Sequence, residues 1–176
     1  MLDSALVEKF RKVKLLSLDL DGTLTDGGLY YAEDGAELRK YHVQDGLGIV
    51  MCMKAGIEVC LLTLSNTGAI AKRAERLRIK RYEMGVLDKL SRIRVFCDEM
   101  GIGLDAVAHV ADDVNDLPLL RAIGLPIAVA NARPEVKAAS AYITQARGGD
   151  GAVREVCDFL LHHSAHVTRN PLVEGL

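Results

Sequence analysis

No apolar run in this chain reaches the roughly 18 residues that a membrane-crossing helix needs. The opening residues, MLDSALVEKFRK, are amphipathic and hold no apolar signal core. A cytoplasmic location without a membrane partner is therefore expected. Basic surplus is missing too: Lys and Arg number 22 against 24 Asp and Glu, a net charge of −2, which argues against a nucleic-acid partner. Cysteine is scarce. Cys52, Cys60, Cys97 and Cys157 stand far apart, with no CxxC pair and no zinc spacing, so reduced, buried thiols are expected. The histidines, His42, His109, His162, His163 and His166, show no ligand spacing. Repeats, low-complexity stretches and linkers are absent. One domain over residues 1–176 is expected, with a core at about 12–162 and a loose tail from 164 to 176.

What the chain does contain is alternation. Short apolar runs that read as strands (13–20, 57–64, 106–113, 125–130, and a brief one at Tyr82) alternate with amphipathic segments that read as helices (from Asp45-Gly46 to about 55, then 67–79, 87–101, 114–124, from Pro134, and 151–163). Such alternation implies parallel pairing in an α/β, three-layer, Rossmann-like sandwich with a mostly parallel central sheet. Residues 28–43 break the pattern: two runs flank Glu33-Asp34-Gly35, a hairpin signal, so a β-hairpin is expected to protrude.

Carboxylates collect where strands end. Asp19 and Asp21, in DLDGTLT, sit two apart and so face one way in an extended chain. Asp112, Asp113 and Asp116 follow another strand. In parallel α/β sheets those ends share one edge, at the topological switch point. Like charges gathered there repel and are costly to desolvate unless a cation joins them, and a hard divalent ion such as Mg²⁺ prefers oxygen ligands. The competing explanation, that Asp112, Asp113 and Asp116 only cap the next helix, leaves Asp19 and Asp21 unexplained. Thr63 at a strand end offers a hydroxyl to an anion. Lys89 opens a helix, where a cation opposes the dipole, so it reads as an anion anchor.

The order DLDGTLT, strand-end Thr63, Lys89 and DDVND resembles the four motifs of the haloacid dehalogenase-like phosphatase superfamily, over roughly residues 12–162. The resemblance implies that Asp19 is the nucleophile of an aspartyl-phosphate mechanism and Asp21 the general acid/base. It implies Mg²⁺ on Asp19, the main chain of Asp21 and Asp112, with Asp113 or Asp116 in support, and phosphoryl oxygens on Thr63 and Lys89. Gly22 would let the backbone turn beside the phosphate, and Gly22 and Thr23 are expected to bind substrate. Only 37 residues (63 − 26) separate Asp26 from Thr63, and the hairpin and one helix fill them, so no cap domain is expected.

The stretch DGGLYYAEDGAELRKYHVQDGLGI, with GGDGAVREVCDFLL later, is similar to the capless sugar-acid phosphatases. That similarity implies a phosphorylated sugar acid as substrate, 3-deoxy-D-manno-octulosonate 8-phosphate first and a nine-carbon keto-sugar-acid 9-phosphate as the alternative. It also implies a role in lipopolysaccharide synthesis. It further implies a homotetramer in which hairpins pack centrally and neighbouring subunits cover each site. The segment Gly148, Gly149 and Gly151 would reach toward a neighbour's site. Asp45, Ser65, Asn66 and Arg154 complete the expected substrate-binding set. Two positions depart from the pattern: Leu64-Ser65 stands where Gly-Arg follows the motif-two Thr, and Ala111 stands where Gly precedes the acid pair. A non-catalytic tetramerisation module is the contrasting reading, opposed by the intact acid set. A phosphorelay receiver is opposed by the motif order.

Overall fold

The computed structural model describes residues 3–167. The strands are β1 (Leu15–Leu18), β2 (Tyr30–Tyr31), β3 (Glu37–Leu38), β4 (Glu58–Leu62), β5 (Arg81–Glu83), β6 (Val107–Ala111), β7 (Leu125–Ala128) and β8 (Tyr142–Ile143). The helices are α1 (Ser4–Lys12), α2 (Val43–Lys54), α3 (Gly68–Leu77), α4 (Lys89–Met100), α5 (Leu117–Leu120), α6 (Pro134–Ala138) and α7 (Ala152–His163). The central sheet runs β5-β4-β1-β6-β7-β8, every pairing parallel. From β1 the chain passes to β4 on one side and later to β6 on the other, which makes the end of β1 the switch point.

Buried on both faces, the strands read as near-continuous apolar runs. Leu16, Leu18, Val59, Leu61, Ala108 and Val110 face one layer, packed with Phe10 of α1, Ile49 and Cys52 of α2 and Val156 and Leu160 of α7. Leu15, Cys60, Leu62 and Val107 face the other, packed with Ile93 and Phe96 of α4 and Leu119 of α5. The three-layer sandwich expected from alternation is present. All four cysteines are free and buried. Among the described residues no helix is long and apolar enough to cross a membrane.

Local signals act as read. The α4 N-terminus is capped by Asp88, which accepts from the Ser91 N–H, and Gly101 ends the helix in a left-handed conformation, φ +62°. The hairpin turns at Asp34-Gly35 and pairs Tyr30 with Leu38 and Tyr31 with Glu37. The helix expected over 114–124 is shorter: a tight 3₁₀ turn spans Val114–Asp116, and α5 starts where Pro118 suits a first turn. The edge strand β8 had no counterpart among the expected elements. Of the tail expected to be loose, Ser164 and Ala165 are tied back to the carbonyls of Val13 and Arg11; residues 168–176 of that expectation lie outside the described ones.

Candidate active site

The end of β1 turns sharply. The Leu20 carbonyl accepts from the N–H groups of Thr23, Leu24 and Thr25, while Thr25 Oγ1 accepts from those of Gly22 and Gly27. Gly22 holds φ +85°, and a Cβ there would lie 2.1 Å from Asp112 Oδ2. Glycine is therefore required twice over, for conformation and for room. Ala111, the residue in place of the usual glycine, lies within regular β6, and Arg78 alone among the described non-glycine residues has positive φ. A methyl group is accommodated at 111 without strain.

At this edge a cleft of about 190 Å³ is lined by Asp19, Asp21, Thr63, Leu64, Asp112, Asp113 and Asn115. A wider groove of about 530 Å³ opens beside Glu58, at the start of β4, and gathers none of these acids. The smaller cleft is the candidate active site because it sits at the carboxyl ends of β1, β4 and β6.

Asp19 forms the floor of the cleft and is nearly buried. Lys89 Nζ donates to Asp19 Oδ1 at 2.7 Å and to Asp116 Oδ2 at 2.9 Å, and lies 2.7 Å from Asp116 Oδ1 as an ion pair. Burial pulls the Lys89 ammonium down, but Asp19 and Asp116 outweigh it and hold it above the ordinary lysine range. Burial lifts the Asp19 carboxyl above its usual value against the pull of Lys89. Asp112 is pushed up to about 7, by burial first and by the Asp19 charge next. Its Oδ1 is buried with no partner.

That orphan oxygen, set beside a second crowded carboxylate, is what a divalent cation would satisfy. No three His, Cys, Asp or Glu side chains form a ready ligand cluster among the described residues. Magnesium, which commonly binds through one or two carboxylates and keeps several waters, needs none. The donors present, Asp19, Asp112 and the main chain at Asp21, fit it.

Asp116 is held by protein partners. It is fully buried, and its oxygens are taken by Lys89, by Asn115 and by His109 Nε2 at 2.9 Å. Burial raises its carboxyl, but His109 and Lys89 outweigh this and hold it below the usual range. Behind it, His109 Nδ1 meets Ser17 Oγ at 2.9 Å. Ser17 is the register partner of both Cys60 and His109, so a polar thread crosses β4, β1 and β6 on the α4-facing side. The charge at Lys89 is thus braced from inside the sheet. Asp113 is exposed at the rim and caps the turn that follows.

The expected substrate-binding residues divide. Ser65 is at the site: its N–H donates to Thr63 Oγ1, and its hydroxyl accepts from Arg39 Nη2 at 2.8 Å. Asn66 is exposed and outside the cleft lining. Thr23 is fully buried beneath the turn rather than facing the cleft. Asp45 and Arg154 meet each other instead: fully buried Asp45 Oδ1 accepts from the Arg154 N–H at 2.8 Å, capping the first turn of α7, and Arg154 Nε pairs with Asp158 at 2.7 Å. Two residues expected to bind substrate form the joint between α2 and α7.

The glycine segment packs on the turn of its own chain. The Gly149 N–H donates to the Thr23 carbonyl at 2.9 Å, and Cβ atoms at Gly148 and Gly149 would fall 1.8 Å from Gly22 O and 2.2 Å from Asp26 N.

Arg39 had no place among the expected residues. It rises from the end of the hairpin, with 2% of its side chain exposed. Nε donates to Asp21 Oδ1 at 2.7 Å and Nη1 to Thr67 Oγ1 at 2.9 Å; Glu37 takes a further bond. Nothing in the spacing of residues 28–43 marks one basic residue as inward. Only the hairpin's path over the cleft selects it.

Comparison with known proteins places this geometry. A family model described as haloacid dehalogenase-like hydrolase matches residues 84–156. The 3-deoxy-D-manno-octulosonate 8-phosphate phosphatase KdsC of Escherichia coli (strain K12) is 37% identical over 155 residues, 88% of this chain and 82% of that protein. Similar solved structures include the 3-deoxy-D-manno-octulosonate 8-phosphate phosphatase of Moraxella catarrhalis in complex with magnesium, phosphate and KDO. It has a TM-score of 0.88 and 36% identity, over 90% of this chain and 91% of that one. The cobalt-bound phosphatase of Haemophilus influenzae has a TM-score of 0.84 and 36% identity, over 88% and 91%.

Proposed function

The chain belongs to the 3-deoxy-D-manno-octulosonate 8-phosphate phosphatases of the haloacid dehalogenase-like hydrolases, and from that premise we propose that it hydrolyses this sugar-acid phosphate through an aspartyl-phosphate on Asp19. The observation that carries the reading is the convergence of Asp19, Asp21, Thr63 and Asp112, from the ends of β1, β4 and β6, on one small cleft, with Lys89 of α4 bonded to Asp19 at its floor.

An Asp19 carboxylate oxygen attacks phosphorus as the ester P–O bond breaks, and the departing alkoxide takes a proton from Asp21. Asp21, now ionised, takes a proton from water as that water attacks the phosphorus. Phosphate leaves and Asp19 is restored. Lys89 fixes one oxygen of Asp19 and, with Thr63, faces the phosphoryl oxygens. Asp19, Asp112 and the Asp21 carbonyl would hold magnesium, which when bound neutralises charge as one anion attacks another. Crystals of the relatives with magnesium and with cobalt support a divalent cation.

The hairpin presents Leu29, Tyr30, Tyr31 and Leu38 to solvent, 46–67% exposed. A lone two-stranded ribbon is marginally stable, which supports its packing against hairpins of other subunits in a homotetramer. The test is phosphate release, with and without magnesium, from octulosonate 8-phosphate, a nine-carbon keto-sugar-acid 9-phosphate, simple sugar phosphates and nucleotides, beside Asp19→Asn. Release from the octulosonate ester that is lost in the variant is expected. Preference for the nine-carbon ester would keep the mechanism and move the substrate, with Leu64 and Ser65 as the altered wall. No release from any ester would refute the reading.

A further inference from the structure

We infer that Arg39 is the positioning residue for the acid/base carboxylate, and that it makes the hairpin a working part of the active site. The inference rests on the assignment of Asp21 as acid/base above.

The donor inventory of the guanidinium is complete. Nε and Nη2 reach Asp21, at 2.7 and 3.4 Å; Nη1 reaches Glu37 and Thr67; Nη2 also reaches Ser65. Five N–H groups meet four side chains from three places: the turn after β1, the hairpin, and the loop between β4 and α3. With every donor engaged, Arg39 has none to offer a substrate. Its function is fixation.

The asymmetry at Asp21 matters. Oδ1 receives the short, well-formed bond, while Oδ2 has only the 3.4 Å contact, and the side chain stays 33% exposed on the cleft wall. One oxygen is pinned, and the other is presented to the place where leaving group and water must exchange a proton. A carboxylate on a free χ angle would sample other directions, and general acid–base catalysis depends on alignment. Lysine, a point charge with three donors on a flexible stem, would not reproduce the planar five-donor fork that spans Asp21, Glu37, Ser65 and Thr67. The hydroxyl of Ser65, where this chain departs from its relatives' motif, is one of the four anchors.

The test compares kcat/KM for Arg39→Ala and Arg39→Lys with the unaltered protein on three esters: octulosonate 8-phosphate, a neutral sugar phosphate, and p-nitrophenyl phosphate. This ratio reports steps up to leaving-group departure. The sugar alkoxides need a proton to leave, whereas p-nitrophenolate does not. Loss of Asp21 alignment should lower the ratio by about 10²–10⁴-fold on both sugar esters and under about tenfold on the aryl ester. Added guanidinium ion should restore much of the Arg39→Ala loss, and Arg39→Lys should recover little. Circular dichroism and urea midpoints check that each variant is folded. Equal losses on all three esters would overturn the role, leaving Arg39 as scaffold. A loss confined to the sugar acid would also overturn it, making Arg39 a carboxylate binder. If the unaltered protein hydrolysed none of the esters, the proposed chemistry itself would fail, an outcome distinct from either.

Discussion

Replacing Lys89 with Met tests how the floor of the site is held together. Lys89 contacts two carboxylates at 2.7 Å, with side chains 2%, 8% and 0% exposed for Lys89, Asp19 and Asp116. At an effective dielectric constant of about 20, each contact has a gross attraction of about 6 kcal/mol. Desolvation of three charges consumes most of that. What the variant measures is the cost of leaving two carboxylates buried without their cation, about 3–5 kcal/mol. Against a total stability of about 5–15 kcal/mol the protein should still fold. With a urea slope of about 2 kcal/mol per molar, the midpoint should fall by about 1.5–2.5 M. Measured in chelator, the deficit should depend on pH. Without Lys89 the Asp19 carboxyl, already lifted by burial, is raised further above its unfolded value. The penalty is therefore larger at alkaline pH, such as about pH 8, and shrinks as protons bind at acid pH, such as about pH 5. Lys89 itself stays charged across this window, since its titration is displaced upward. A midpoint shift below about 0.5 M at about pH 8, or a deficit equal at both pH values, would refute the reasoning.

Three further outcomes follow from the same geometry. Asp112, pushed up to about 7, should make magnesium affinity climb about tenfold per pH unit below that value and level off above it, with proton release on binding, as calorimetry in buffers of different ionisation enthalpy would show. In metal-free protein its raised value is a destabilisation present above about 7 and lost as pH falls; Asp112→Asn should raise the chelated protein's urea midpoint near neutral pH while abolishing turnover. Gly22→Ala should cost about 1–3 kcal/mol of backbone strain. By displacing Asp112, it should also lower kcat about 10²-fold or more.

Much of this was legible from residue order. Alternating period and the DLDGTLT run located the sheet, its switch point and the acids, because strand ends and paired carboxylates are local signals. Asp34-Gly35 marked the hairpin for the same reason. What was not legible depends on distances between elements. Asp45 and Arg154 read as polar groups near the site, but α2 packs on α7 and turns them toward each other. His109 shows no ligand spacing along the chain, yet its register beside Ser17 threads it to Asp116. Arg39 is one basic residue among several on a hairpin, and only the fold buries it. The edge strand β8 holds two residues, too few for any periodicity to appear.

The bond from Gly149 to Thr23 joins residues 126 positions apart (149 − 23), and Lys89 meets Asp19 across 70. Loops of that length close late, since chain entropy opposes them until neighbouring contacts repay it. Asp19 stands near the start of the chain, but the turn that follows it is wedged in place by glycines near the far end. During synthesis, then, Asp19 and Asp21 emerge early and should stay uncommitted until residues 148–149 have been added and docked. Catalytic competence should be among the last properties the folding chain acquires. A fragment stopping short of those glycines should hold every proposed catalytic residue and still lack the turn that aims them.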